Sequence, residues 1–201
     1  MGDFRWNFLV ASLDFGIYMA AMSFISTLTV LPAFVSHFTS SNIVIGLISS
    51  IATLGWFLPQ LASANYVERM EVKKRFIVTS TAGERLPWLF MALATLLVWE
   101  NPLMTLALFF VLYGVANSTA GFLGPAWMDM IAKIIPEGRR GMFFGFSNFL
   151  GSLLGVVCAL LVGYIMKIYA FPNNFALCFF SAFLLILISW TFLCLVKEPR
   201  S

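Results

Sequence analysis

The chain has 201 residues, 61% of them hydrophobic and 10% charged, with a mean hydropathy of +0.93; soluble domains run at about 45–50% and roughly 25%. A soluble fold of this size leaves roughly 30% of its extended surface in water and cannot hide so much apolar material, so the composition excludes a soluble domain and requires lipid as solvent. The formal charge of +3 is small, and its placement says more than its size.

A helix needs about 20 apolar residues to cross the hydrocarbon core, and six stretches qualify. The first, 8–35, follows Arg5 and Trp6. No small-residue cleavage site closes a short apolar core there, so it reads as a span and not as a removed signal. It holds Asp14 and, late in its length, Leu31-Pro32. After the polar gap Ser36–Asn42, which carries the only histidine, His37, the second stretch runs over 43–66 and contains Gln60. The run Glu68–Arg75 leads into the third, 76–99, with Glu84 and Arg85 inside it. Glu100-Asn101-Pro102 precedes the fourth, 103–132, which holds Asn117, Gly121, Gly124-Pro125 and Asp129. Pro136–Arg140 precedes the fifth, 142–166, and Phe171–Asn174 the sixth, 175–196. The fold class this implies is all-α: a polytopic membrane helix bundle forming a single domain over 1–201.

Basic residues favour cytoplasmic loops. Ten of the twelve fall on one face: Arg5, then Arg69, Lys73, Lys74 and Arg75, then Lys133, Arg139 and Arg140, then Lys197 and Arg200. Only Lys167 falls on the other, and Arg85 lies within a span. Six spans with both ends in the cytoplasm, in a cell (inner) membrane, satisfy this distribution. Trp6, Trp99 and Trp127 lie near expected interfaces, as aromatic-belt residues do.

Ionisable residues inside spans are the exceptions that carry functional information. Glu84 lies about 13 Å past Arg75 at ~1.5 Å per residue, and Asp14 is similarly deep. An ionised group there costs roughly 2.5–3.5 kcal/mol, so such residues face a bundle interior or a watery cavity. Consecutive residues on a helix point about 100° apart. Glu84 and Arg85 are therefore expected to find partners elsewhere, Arg85 with Asp14 at matching depth. Two roles are open: structural ion pairs that fix packing, or a substrate and proton-coupling cluster. Asp129, close to the interface, suits a gate or anchor paired with Arg69, Arg139 or Arg140. Singly, Gln60, Asn117 and Asn148 read as packing glue; together they suggest a polar interior.

Gly141, Gly145, Gly151, Gly155, Ala159 and Gly163 give the fifth span a smooth face for close helix packing. Pro32 and Gly124-Pro125 fall late in spans one and four. If the chain is two inverted three-helix repeats, these helix breaks are equivalent, and matched breaks point to a transporter's site. Cys158, Cys178 and Cys194 sit in apolar runs without metal or disulfide spacing and read as packing residues.

Gly124-Pro125-Ala126-Trp127 through Pro136-Glu137-Gly138-Arg139-Arg140-Gly141-Met142-Phe143-Phe144-Gly145 is similar to a run found in many bacterial members of the major facilitator superfamily. Glu68-Arg69 with Lys73-Lys74 resembles that family's loop signature between spans two and three, although Ser63 or Ala64 and Glu71 or Val72 stand where it has glycines. Lys197-Glu198-Pro199 resembles the start of its long central loop. The chain thus resembles the N-terminal six-span half of such a transporter. The resemblance implies alternating access, with Asp14 and Asn117 facing a central path on spans one and four. Glu68, Arg69 and Asp129, with Arg139 and Arg140 beside them, would form a cytoplasmic gate.

Six spans supply one wall of a cleft, so a second six-helix half is expected, either a C-terminal half or another copy. The expected ligand is a small solute. A competing reading is the membrane-embedded binding subunit of an energy-coupling uptake complex. Intramembrane hydrolysis is disfavoured, because His37 lies in an outer loop without a buried serine or metal-ligand partners. No cofactor is expected. Nucleic-acid binding has no support either, since the basic clusters are short and adjoin spans.

Overall fold

The computed structural model describes residues 2–199; Arg200, one of the basic residues counted above, lies outside them. Eight helices follow in order: α1 (Gly2–Ala21), α2 (Val30–Ser36), α3 (Asn42–Glu68), α4 (Lys73–Ser80), α5 (Ala82–Leu97), α6 (Pro102–Ile134), α7 (Glu137–Ile168) and α8 (Asn173–Leu195). Among the described residues there is no strand. By length and composition, α3, α6, α7 and α8 can each cross a membrane. The outward faces of α3 and α7 carry Phe57, Leu61, Phe149, Leu153 and Leu160, all exposed, a surface suited to lipid.

The first apolar stretch is two helices. Proline lacks an N–H, and its ring collides with the carbonyl four residues back, which for Pro32 is that of Leu28. The interruption therefore falls on the N-terminal side, between Ala21 and Val30, and Pro32 sits in the first turn of α2. The carbonyl of Ser26 accepts from Leu31 N at 3.0 Å and that of Thr29 from Ala33 N at 3.1 Å, which rebuilds the helix from there. The third stretch is also divided, at Thr81, whose carbonyl accepts from both Glu84 N at 3.1 Å and Arg85 N at 3.2 Å. Thr81 keeps right-handed dihedrals (φ −69°, ψ −7°), so α4 passes into α5 through one tightened turn.

Gly124-Pro125, by contrast, breaks nothing: α6 runs through it without interruption. Neighbouring helices and local adjustment let membrane helices tolerate proline. The matched-break expectation accordingly loses one of its two members.

Around this frame, α1 packs between α7 and α8, α6 packs between α3 and the α4–α5 pair, and α5 packs on α8. Close approach at glycine shapes several of these contacts. A methyl group on Gly121 of α6 would strike the carbonyl oxygens of Gly55 and Trp56 on α3, and one on Gly151 of α7 would come within 2.8 Å of Met19 Cβ on α1. The smooth face expected on the fifth span therefore divides. Gly151 meets α1 and Gly155 meets Ser23 in the turn just past it, while Gly141, Gly145 and Gly163 have open space beside them. Gly121→Ala must push two backbones apart and is expected to cost about 3 kcal/mol. Gly145→Ala should be neutral or gain up to ~1 kcal/mol of helix propensity. Thermal unfolding of the two purified variants checks the contrast, and equal melting points would refute the close-packing account.

Two apolar cores result. One gathers Phe34, Phe109, Tyr113, Phe175 and Phe179. The other, toward the end rich in Lys and Arg, gathers Val10, Met130, Ile131, Phe143 and Leu193.

Candidate functional site

Between these cores lies a cavity of about 480 Å³, lined by residues of every helix except α2. Asp14, Glu84 and Arg85, the ionisable residues expected deep inside spans, all border it. Each lies on a stretch that passes from one core to the other. Asp14 falls between Val10 and Ala20, Arg85 between Ile77 and Trp88, and Ser189 between Ile186 and Leu193.

The Asp14 carboxylate is buried and accepts from Ser189 Oγ at 2.6 Å and from Trp127 Nε1 at 3.4 Å. Trp127 is held flat by stacking on Phe15, ring centroids 5.5 Å apart. Glu84 accepts from Thr81 Oγ1 at 3.2 Å and faces the Arg85 guanidinium at 3.6 Å. Arg85 also donates to the carbonyls of Thr81 at 3.3 Å and Ile186 at 3.4 Å.

The ion pair within reach of Arg85 is thus with Glu84, contrary to the expected pairing with Asp14. The 100° separation describes where two side chains leave a helix. A long arginine beside a tightened turn can curl back across it, and the Thr81 carbonyl on that turn receives the same guanidinium.

Asn117 lies outside the cavity lining. Its amide donates to Tyr113 O at 2.8 Å, one turn back, and its Cβ presses on Gly55, so it belongs to the α3–α6 contact. Gln60 does line the cavity. Asn148 is exposed and bonds to Phe144 O at 2.8 Å. Trp127, Ser189, Tyr18 and Thr81 are site residues that the sequence reading missed. The only signal for Trp127 was its depth, since it sits seven residues inside the end of α6, nearer Asp14 than a belt position requires.

At the basic end, Asp129 pairs with the buried Lys73 at 3.5 Å, and not with Arg69, Arg139 or Arg140. Those arginines are occupied or turned elsewhere. Arg140 bonds to the carbonyls of Ala132 at 2.8 Å and Ile135 at 3.3 Å and lies 3.9 Å from Glu137. Arg139 sits over the Phe4 ring at 5.2 Å. Glu68 and Arg69 are exposed at the end of α3, without an ion pair among the described residues. Lys73 reaches Asp129 because it opens α4, which packs against α6.

The residue that organises this end is Glu198. Its carboxylate accepts from the backbone N–H of Lys73 at 3.1 Å and of Lys74 at 2.6 Å, and Lys133 Nζ lies 3.6 Å away. It therefore caps α4 from the far end of the sequence and meets the positive end of that helix's dipole. Lys74 Nζ donates to Cys194 O at 2.6 Å, and the Asn7 amide exchanges two bonds with the Lys197 backbone at 2.8 and 2.9 Å. These contacts tie the end of α8 to α1, α4 and α6.

A bundle of long apolar helices around a chamber bearing a buried aspartate, a partly buried glutamate and an arginine defines a class: polytopic helical proteins of the membrane. The family model described as Major Facilitator Superfamily matches residues 13–201, and the chain belongs to that family. Its members are membrane transporters and carry out no catalysis, so the function of this chain is transport-related. No curated protein and no solved structure matches the chain.

Proposed function

We propose that the chain is the six-span half of a secondary transporter, moving a small solute by alternating access with proton coupling at the buried carboxylates. The observation that carries this reading is the cavity itself, which brings Asp14, Glu84 and Arg85 together from α1 and α5. Ionisable groups at such depth mark solute and proton paths.

Joining α1 to α2 and α4 to α5 makes six spans with the four long helices. The helix neighbours support an internal inverted repeat. Exchange α1–α2 with α6, α3 with α7, and α4–α5 with α8, and the most extensive contacts are preserved, while the smaller α7·α8 and α2·α3 contacts have no counterpart of similar extent. The α3·α6 contact becomes α7·α1, α1·α8 becomes α6·α4–α5, and α5·α8 maps onto itself. The close approaches at Gly121 and Gly151 fall on the exchanged pair. Such symmetry underlies rocking around a fixed site.

The clustering of Lys and Arg at the ends of α3, α6 and α8 favours cytoplasmic termini in a cell (inner) membrane. There Asp129 and Lys73 act as a gate, with Glu68, Arg69, Arg139 and Arg140 on the surface that meets the second wall. That wall is another six-helix half, supplied by further chain or by a second copy.

Cysteines placed singly by Asp14→Cys and Glu84→Cys, with the native cysteines replaced, test the passage. A charged, membrane-impermeant maleimide is expected to label both in vesicles and to spare a lipid-side Leu153→Cys. Absence of label at both cavity positions would overturn the proposal.

A further inference from the structure

On the transport reading above, we propose that the solute is an amphipathic organic cation carrying aromatic or bulky apolar groups, and that Asp14 recognises its charge. Glu84 faces Arg85 at 3.6 Å, and the remaining bonds of Arg85 go to backbone carbonyls. The two are spent on each other. Asp14 meets only neutral donors, Ser189 Oγ and Trp127 Nε1. Among the described residues, the cavity therefore holds one buried carboxylate with no fixed cation within ion-pair distance. An unpaired buried charge is costly, and a cationic solute offsets it.

The walls match the same ligand. Trp127, stacked on Phe15, lies beside the carboxylate, and Trp56, Tyr18 and Phe144 add further ring surface. Ring faces attract cations, most strongly where water is excluded. A volume of about 480 Å³ lies within the ordinary range of about 300–1,000 Å³ for small-molecule sites. An anion would find Arg85 already turned to Glu84. A polyol would bury hydroxyls against rings that return few hydrogen bonds.

Tetraphenylphosphonium and tetraphenylborate have nearly the same shape and opposite charge, so they separate charge recognition from apolar partition. Binding to the full chain in nanodiscs is read from quenching of tryptophan emission. Tetraphenylphosphonium is expected to saturate, to weaken at least about tenfold in Asp14→Asn, and to hold within a few-fold in Asp14→Glu. Tetraphenylborate should not distinguish wild type from Asp14→Asn. Equal tetraphenylphosphonium affinity in wild type and folded Asp14→Asn would overturn the proposal.

A second measurement leaves Asp14 untouched. Met128→Cys places a thiol on the cavity wall, and its maleimide labelling should be slowed by the cation and not by the anion. Labelling that neither ion slows defeats the cation assignment and leaves the transport reading standing. No labelling at all removes both.

Discussion

Glu198→Ala is expected to lower the thermal midpoint of the purified protein by roughly 6–12 °C, corresponding to about 3 kcal/mol for a chain of this length. The side chain is 1% exposed and serves three groups at once: two backbone N–H groups at the start of α4 and the Lys133 ammonium. Losing a helix cap alone costs about 1 kcal/mol. Each hydrogen bond to a charged group contributes about 1.5–3 kcal/mol more, while Lys133 keeps its bond to the Glu71 carbonyl oxygen at 2.6 Å. Glu198→Gln should fall between, since it retains one acceptor and loses the charge. Lys197→Ala is the control. Its pair with Asp3, at 3.0 Å, is 64% and 76% exposed, and surface pairs contribute about 0–1 kcal/mol. Amide exchange at Lys73 and Lys74 should rise in Glu198→Ala and stay unchanged in Lys197→Ala. If the two variants melt alike, Glu198 does not organise this end of the bundle.

What was legible in the sequence follows from how local each signal is. Long apolar runs bounded by Pro, Asn and basic clusters locate α3, α6, α7 and α8, because hydrophobic length needs no knowledge of neighbours. The divisions of the first and third stretches were not legible in the same way. Pro32 announced a disturbance, yet its effect is on the carbonyl before it, so the break precedes the proline. Thr81 carries no breaker residue; its turn is tightened by two amides sharing one carbonyl. Gly124-Pro125 carried the strongest breaker signal and left α6 intact.

The site divides similarly. Asp14, Glu84 and Arg85 were identifiable because charge in an apolar run is anomalous wherever it points. Their partners were not, because Ser189 and Trp127 are 175 and 113 residues from Asp14 in sequence and ordinary in composition. Asn117 shows the converse. A polar residue at the right depth can face a neighbouring helix, and only the helix's rotation separates the cases. Glu198 entered as part of a family-like ending, while its physical role depends on the start of α4, 124 and 125 residues earlier.

Arg85→Met should be the most damaging single change in the cavity. It leaves Glu84, whose side chain is 12% exposed, facing no cation, and adds a second unneutralised carboxylate to that of Asp14. The expected loss is about 3–5 kcal/mol, or a midpoint lower by at least roughly 6 °C. Glu84→Gln alone should cost less, because Thr81 Oγ1 still has an acceptor and Arg85 keeps its two carbonyls. The double variant Glu84→Gln/Arg85→Met removes both charges together and should regain most of the stability, giving a coupling energy of about 1–3 kcal/mol between neighbours. Additive costs would mean the two residues do not act as a pair. The same double variant separates the two roles that buried charges can play. If Glu84 and Arg85 serve mainly to neutralise each other and fix α5 against α8, their joint removal leaves the Asp14 carboxylate and its aromatic surround intact. Cation binding should then survive in the double variant and weaken at least about tenfold in Asp14→Asn, which assigns packing to one pair of charges and recognition to the third.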